Sequence, residues 1–320
     1  MRVSTTAMAC EFTVIMNPGP HQQVLAVGPV LDLIHEVEGW LSTYKASSEA
    51  SQINNAAANE GVSIRPDLFE LLKLARQLQQ STQGAFDIAA GAAMKLWKRC
   101  RSEKRLPTDE EISAVLPDCG SDKLVLDEDR LSVSKIVKGV QIDPGAIGKG
   151  FALDQAAEWM GKLPDTPSDF LIHGGHSSLV TRGQNAEQGG WSVGIGNPLF
   201  TKKRLGTILL SDQAMSTSGS NIQFFRHDGR RYGHILDPRT AWPVDGMLSV
   251  TVFSPTAAVA DALSTAFFVL GVEKALECCD NFPDVGAILI PWPKQGRVRP
   301  VMINVPEERV FWDKDQVELV

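Results

Sequence analysis

The stretch KLVLDEDRLSVSKIVKGVQI, residues 123–142, decides the fold class. Branched apolar residues recur within residues 123–126, 130–134 and 135–142, and the intervals between these segments are too short for a crossover helix. Consecutive strands joined by short turns pair antiparallel, so the chain reads as α+β instead of a doubly wound parallel sheet. Further strands are expected at residues 11–16, 170–173 and 249–254. Helices are expected where apolar positions return every three or four residues. Leu68, Leu71, Leu72, Ala75 and Leu78, with Pro66 in the first turn, give a helix over residues 66–80. Residues 24–41 have the same character. No internal repeat is present, and no low-complexity linker exceeds the polar stretch 181–190. The expectation is one domain, residues 1–320, of two lobes with mainly antiparallel sheets packed by helices.

Composition narrows the function classes. The chain is 43% hydrophobic and 22% charged, which suits a soluble globular protein with a sizeable core. Its formal charge of -7 lacks the positive excess that draws nucleic acid, and leaves room only for a local basic pocket. The most apolar stretch, residues 257–272, is shorter than the roughly 18 residues a spanning helix needs and is interrupted by Asp261, so no membrane-embedded segment is expected. Residues 1–10 carry no signal-peptide pattern, so the chain as given reads as cytoplasmic, or as periplasmic or lipid-anchored if a leader was trimmed. Cys10, Cys100, Cys119, Cys278 and Cys279 are scattered and odd in number, which argues for reduced thiols over a disulfide framework or a zinc site.

Four segments carry chemistry. Asp143-Pro144-Gly145-Ala146-Ile147-Gly148-Lys149-Gly150 follows a strand-like run and precedes a helical pattern over residues 151–160, placing Lys149 and glycine amides near a helix N-terminus, where phosphate binds well. The spacing is not that of a Walker loop, and a simple glycine turn with a solvated lysine competes with the phosphate reading. Asp261 and Thr265 lie four apart in Ala260-Asp261-Ala262-Leu263-Ser264-Thr265, on one face of a helix. A carboxylate among so many apolar residues needs a partner. Magnesium, an Arg or backbone amides would each serve. In Tyr232-Gly233-His234-Ile235-Leu236-Asp237-Pro238-Arg239-Thr240, His234 is a candidate proton carrier beside an Asp-Pro turn, although an isolated His more often bonds backbone. Met215-Ser216-Thr217-Ser218-Gly219 supplies hydroxyls. His173 and His176 flank Gly174-Gly175, which reads as a turn because no third metal ligand is nearby.

In this order, and with Leu41-Ser42-Thr43-Tyr44, Ser51-Gln52-Ile53-Asn54, Thr82-Gln83-Gly84-Ala85-Phe86-Asp87 and Leu96-Trp97 ahead of them, the segments resemble the ApbE family of FAD:protein FMN transferases over most of the chain. The resemblance implies an FAD cleft between lobes, with FAD contacts at Met8, Tyr44, Ala85, Phe86, Asp87, Asp143, Lys149 and Ile235. It implies Mg²⁺ held by the Asp261 carboxylate, the Thr265 hydroxyl, an oxygen of Ser264 and the carbonyl of Ala146. The implied reaction moves FMN from FAD to a Ser or Thr hydroxyl of an acceptor protein and releases AMP, with Lys149 on phosphate and His234 orienting or deprotonating the acceptor. An FAD hydrolase and a non-catalytic FAD-binding protein are the alternatives. Two positions depart from the family pattern: Ala241, where Gly usually follows Asp-Pro-Arg-Thr, and His176, where Asp or Asn is common. The alanine matters if its turn needs a positive φ.

Overall fold

The computed structural model describes residues 1–200, 202–220, 224–293 and 297–318, and the chain divides into two compact units. The first comprises Met1–Glu38, Gly148–Asn221 and Gly246–Val320; the second comprises Gly39–Ile147 and Ile222–Asp245.

The first unit is built on an eight-stranded sheet: β1 (Arg2–Ala7), β2 (Cys10–Met16), β3 (Phe170–Gly174), β4 (Ser178–Arg182), β5 (Ala214–Gly219), β6 (Met247–Ser254), β7 (Gly286–Pro291) and β8 (Val301–Ile303). Spatial order follows chain order and every neighbouring pair is antiparallel, as short connections between successive strands dictate. Side chains alternate across the pleat. Leu171, Leu179, Met215, Phe253 and Ile288 point to a core shared with a three-stranded sheet of Trp191–Gly196, Arg204–Leu210 and Val310–Trp312. The opposite face packs on helices α1 (Gly148–Lys162) and α2 (Ala257–Cys279). Helix α2 is interrupted at Gly271, whose φ of 74° and ψ of -179° only glycine adopts readily.

Helix α1 crosses α2 at Gly150, where a Cβ would collide with the Ala257 carbonyl and the Ala258 Cα. Each helix caps the other. The Asp154 carboxylate of α1 accepts the Ala257 and Ala258 amides at 2.7 and 2.8 Å, and the Asp261 carboxylate of α2 accepts the Gly150 amide at 3.1 Å. Two of the orphan N–H groups at one helix start, and one at the other, are thereby satisfied by buried or half-buried carboxylates.

The second unit holds the helices Glu49–Asn55, Pro66–Ser81, Gly91–Ser102 and Asp109–Val115, with Thr108 and Glu111 forming a capping box on the last. A small sheet of Val62–Ser63, Ser132–Lys135 and Leu124–Asp127 and two hairpins complete it. Its core clusters around Leu96, Trp97, Cys100, Leu236 and Ala241, with Phe225, Tyr232 and Trp242 stacked about the Trp97 indole.

Two element assignments need correction. Residues 135–142 form no strand beyond Lys135; the segment is held by side chains in place of a ladder. The Lys135 ammonium, 1% exposed, donates to the carbonyls of Asn54, Lys138 and Val140 at 2.9, 3.1 and 3.1 Å. The Asn54 amide then pairs with both backbone groups of Ile142, at 2.9 and 2.7 Å. Residues 24–41 form two helices, His21–Ala26 and Gly28–Leu41, because Gly28-Pro29 breaks the first and starts the second. The five cysteines are free thiols, and among the described residues no helix is long and apolar enough to cross a membrane.

Candidate functional site

In the first unit, strand β5 and helix α2 build a cluster of oxygens. The alternation of β5 turns Ser216 and Ser218 toward α2 and Thr217 away from it, where it meets Thr251 at 2.9 Å. On α2, the i, i+3, i+4 spacing stacks Asp261, Ser264 and Thr265 opposite those serines. Asp261, 5% exposed, accepts the Gly150 amide on Oδ2 and the Ser216 hydroxyl on Oδ1 at 2.9 Å, with Ser178 at 3.4 Å. Ser218 Oγ lies 2.8 Å from Ser264 Oγ and 3.0 Å from Thr265 Oγ1. No ion pair among the described residues involves Asp261.

This set fits a magnesium ion by the chemistry of its donors. A carboxylate has about four lone-pair positions, and neutral donors occupy only part of them. The remaining groups are hydroxyls, oxygen ligands suited to a hard cation, and no Lys or Arg has taken the counter-charge position. Groups of three or more His, Cys, Asp or Glu are absent among the described residues, so a softer metal has no cage here. Asp261, Ser264 and Thr265 come together as expected. Ala146, the fourth implied ligand, belongs to the second unit, in the 3₁₀ turn Pro144–Ala146 that Asp143 caps by accepting the Gly145 amide at 2.9 Å.

Lys149 sits in the first turn of α1, half-buried and free of any carboxylate partner among the described residues. A cation at the positive end of a helix is placed against the macrodipole, and an anion there relieves both. It stands near Cys10: burial pushes that thiol's pKa up, while the Lys149 ammonium pulls it down and Glu38 raises it. The adjoining β1–β2 turn is Met8-Ala9, both residues at positive φ (49° and 58°), with the Met8 amide donating to Glu38 at 3.0 Å. Two-residue hairpins of this kind favour Asn-Gly, so Met8 is held in a turn its side chain disfavours.

In the second unit, a cavity of about 510 Å³ is lined by Tyr44, Asp143 and His234 together with Trp97, Phe225 and Tyr232. Tyr44 is 82% exposed, with the Lys98 ammonium 4.7 Å from its ring centre. An aromatic ring left in solvent beside an apolar cavity is a ready stacking surface. Ile235 is buried next to His234, its carbonyl accepting the Val244 amide. Ala85 and Phe86 are buried away from the cavity lining. Asp87 is committed to the amides of Ala89 and Ser121 at 2.8 and 3.0 Å, and burial raises its pKa against those bonds.

Several quoted segments converge in this unit. Arg239 forks onto Asp237 with two 2.8 Å bonds, and its stem crosses Gly84, whose φ is 77°. The Trp97 indole donates to the Ala241 carbonyl at 2.6 Å. Ala241 has a φ of 56° and is 0% exposed, so its turn does require the left-handed conformation that glycine favours. His173 Nδ1 lies 3.0 Å from the Gly175 carbonyl and His176 is exposed, which makes their segment the β3–β4 turn. Sequence reasoning missed the roles of Ser216, Ser218, Asp154 and Lys135. The Ser-Thr-Ser alternation at 216–218 was a usable signal for the first two.

The ApbE family model matches residues 8–289 of the chain. An FAD:protein FMN transferase of Haemophilus influenzae is 34% identical over 270 residues, covering 82% of this chain and 75% of the relative. The solved flavin transferase ApbE of Vibrio cholerae superposes with a TM-score of 0.82 at 25% identity, covering 95% of this chain and 97% of that one. The Pseudomonas stutzeri flavinyl transferase ApbE gives 0.80 at 28% identity, over 95% and 93%.

Proposed function

The chain belongs to the ApbE family, and on that footing we propose that it transfers FMN from FAD to a Ser or Thr hydroxyl of another protein, releasing AMP. The observation that carries this reading furthest is the buried Asp261 carboxylate, bonded only to neutral donors beside the hydroxyls of Ser264 and Thr265. Asp261, Ser264, Thr265 and the Ala146 carbonyl would hold Mg²⁺, which when bound neutralises pyrophosphate charge and polarises the phosphoryl group.

The residues of the chain supply the rest. Lys149 and the first amides of α1 bind pyrophosphate oxygens. Tyr44 offers its exposed face to a planar ring of the dinucleotide, with Met8, Asp143 and Ile235 as further contacts. Ala85, Phe86 and Asp87 shape the loop beneath, Asp87 by its bonds to backbone. In the transfer, the acceptor oxygen bonds to the FMN-side phosphorus and the bond from that phosphorus to the bridging oxygen breaks, so AMP leaves with that oxygen. His234 takes the hydroxyl proton. Phosphoryl transfer of this kind asks chiefly for in-line positioning and charge neutralisation.

The test is incubation with FAD, MgCl₂ and a cell lysate as the source of acceptors, followed by denaturing gel electrophoresis and chromatography. Protein-bound flavin fluorescence with one AMP per flavin bound is the expected result. Free FMN and AMP without bound flavin would make the protein a hydrolase, and intact FAD would make it a binding protein; either result overturns the proposal.

A further inference from the structure

Cations and carboxylates balance differently at the cavity rim than elsewhere on the second unit. Away from the rim, Arg65 pairs with Glu49, Lys73 with Glu70 and Glu128, Arg99 and Arg105 with Glu111, Arg130 with Asp127, and Arg239 with Asp237. At the rim the pairing stops. Lys95, Lys98 and Arg101 recur three residues apart on the helix Gly91–Ser102, are all exposed and all line the cavity, yet none makes an ion pair among the described residues. Lys95 is bonded to the Gln141 amide oxygen, and Lys98 rests over Tyr44.

The hairpin of Phe224–His227 and Arg230–Gly233 continues the rim, since Phe224, Phe225, Tyr232 and Gly233 line the same cavity. Its register places Arg226 directly opposite Arg231, with both guanidinium groups over the Phe224 ring, at 5.8 and 4.0 Å from its centre. Like charges facing across a two-stranded ladder destabilise it. The hairpin's one carboxylate, Asp228, is at the turn, 3.4 Å from His227.

We propose that this rim is a docking face for an acidic segment of the acceptor protein, with Arg226 and Arg231 as its central fork and Lys98 and Arg101 on its flank. The inference rests on the transferase reading and adds the chemistry of the second substrate. The flavin and adenine rings are uncharged or nearly so, and suit the aromatic lining. The two pyrophosphate charges already have Lys149, helix amides and Mg²⁺ in that reading. The unpaired rim cations are therefore available to a second anion, and paired guanidinium groups receive a carboxylate in bidentate fashion. Carboxylates flanking the acceptor hydroxyl would steer it to the cavity mouth and fix its register.

Three synthetic peptides of equal length, each with one central Thr flanked by Asp, Asn or Lys, test this by isothermal titration calorimetry and by flavin incorporation. The Asp peptide is expected to bind about tenfold more tightly than the Asn peptide at low salt, an advantage lost near roughly 0.5 M NaCl. The double variant Arg226→Gln/Arg231→Gln should lose that preference while FAD affinity stays within about twofold; Arg226→Lys/Arg231→Lys, which keeps the charge, should retain most of it. Equal binding of the three peptides to the wild type, or a preference that survives in the Gln variant, overturns the proposal. Loss of FAD affinity in the Gln variant with peptide binding unchanged assigns the rim to the dinucleotide and overturns it too. Selective binding of the Asp peptide without flavin incorporation sinks the transferase reading and leaves the docking face standing; incorporation indifferent to flanking charge does the reverse.

Discussion

Asp261 offers a substitution pair that separates its two duties. In Asp261→Asn, the side-chain oxygen can turn to the Gly150 amide while the new NH₂ faces Ser216 and Ser178, whose hydroxyls rotate to accept. All three hydrogen bonds survive with a buried charge removed, so the metal-free stability should change by less than about 1 kcal/mol. Asp261→Ala instead strands the Gly150 amide and the Ser216 hydroxyl in the interior and should cost about 1–3 kcal/mol. The metal response divides them differently. A ligand at a hundred times its Kd stabilises by about 2.7 kcal/mol, which for a protein of this size raises Tm by roughly 5–10 °C. Differential scanning calorimetry with FAD and MgCl₂, against NaCl of matched ionic strength, should show that rise in the wild type and in neither variant. A wild-type Tm indifferent to magnesium, or Asp261→Asn keeping the full rise, would refute the metal assignment. An Asn variant as unstable as the Ala variant would refute the hydrogen-bond argument.

Lys135→Met keeps the length of the stem but leaves three buried carbonyls without their donor; a loss of about 3–5 kcal/mol by urea denaturation is expected, with weaker FAD binding because the segment leading to Asp143 loosens. Ala241→Gly trades relief of left-handed strain, worth about 1 kcal/mol, against a buried methyl worth about 0.8 kcal/mol and a freer unfolded chain, so thermal unfolding should shift by less than about 1 kcal/mol. Asp154 has its pKa raised to about 6 by burial, which outweighs the two amide bonds it accepts. The folded state thus holds this proton more tightly than the unfolded chain, and the penalty of ionising Asp154, at most about 3 kcal/mol, is present above pH 6 and relieved as pH falls toward 4. The difference in Tm between wild type and Asp154→Asn should accordingly grow in favour of the wild type on acidification from pH 7.5 to 5, and a flat difference would contradict the shift.

The elements legible in the sequence are those whose own periodicity is strong. Helix Pro66–Ser81 and strands β2, β3 and β6 appear within two residues of their expected bounds. The run 135–142 misleads because branched residues alternate there for another reason: Val140 and Ile142 are buried against the unit's core, while the backbone is satisfied by Lys135 and Asn54. A lysine that acts as three hydrogen-bond donors in the interior looks, in one dimension, like a surface charge. The Ala241 departure was legible as a question only, since its φ is a property of the whole turn from Asp237, whose carbonyl accepts the Ala241 amide at 2.8 Å. Ser216 and Ser218 were seen as hydroxyls, but their direction became readable only once β5 was known to lie against α2.

For Asp261 the sequence seemed to pose a choice between a metal ligand and an acceptor of backbone amides. The structure dissolves that choice. The Gly150 amide, the Ser216 hydroxyl and the reciprocal contact of Asp154 with the start of α2 fix where the Asp261 carboxylate points, so that its remaining lone pairs have one direction before any cation arrives. A carboxylate free to rotate would lose that freedom on binding, and one neutralised by an arginine would have no affinity left to offer. Because Gly150 admits no side chain, the spacing of α1 and α2 that permits this contact is itself written into the glycine-lysine-glycine sequence that reads as a phosphate loop. The same three residues therefore set the cation for phosphate at Lys149 and orient the anion for magnesium at Asp261, which ties the two halves of the proposed pyrophosphate site to one helix start.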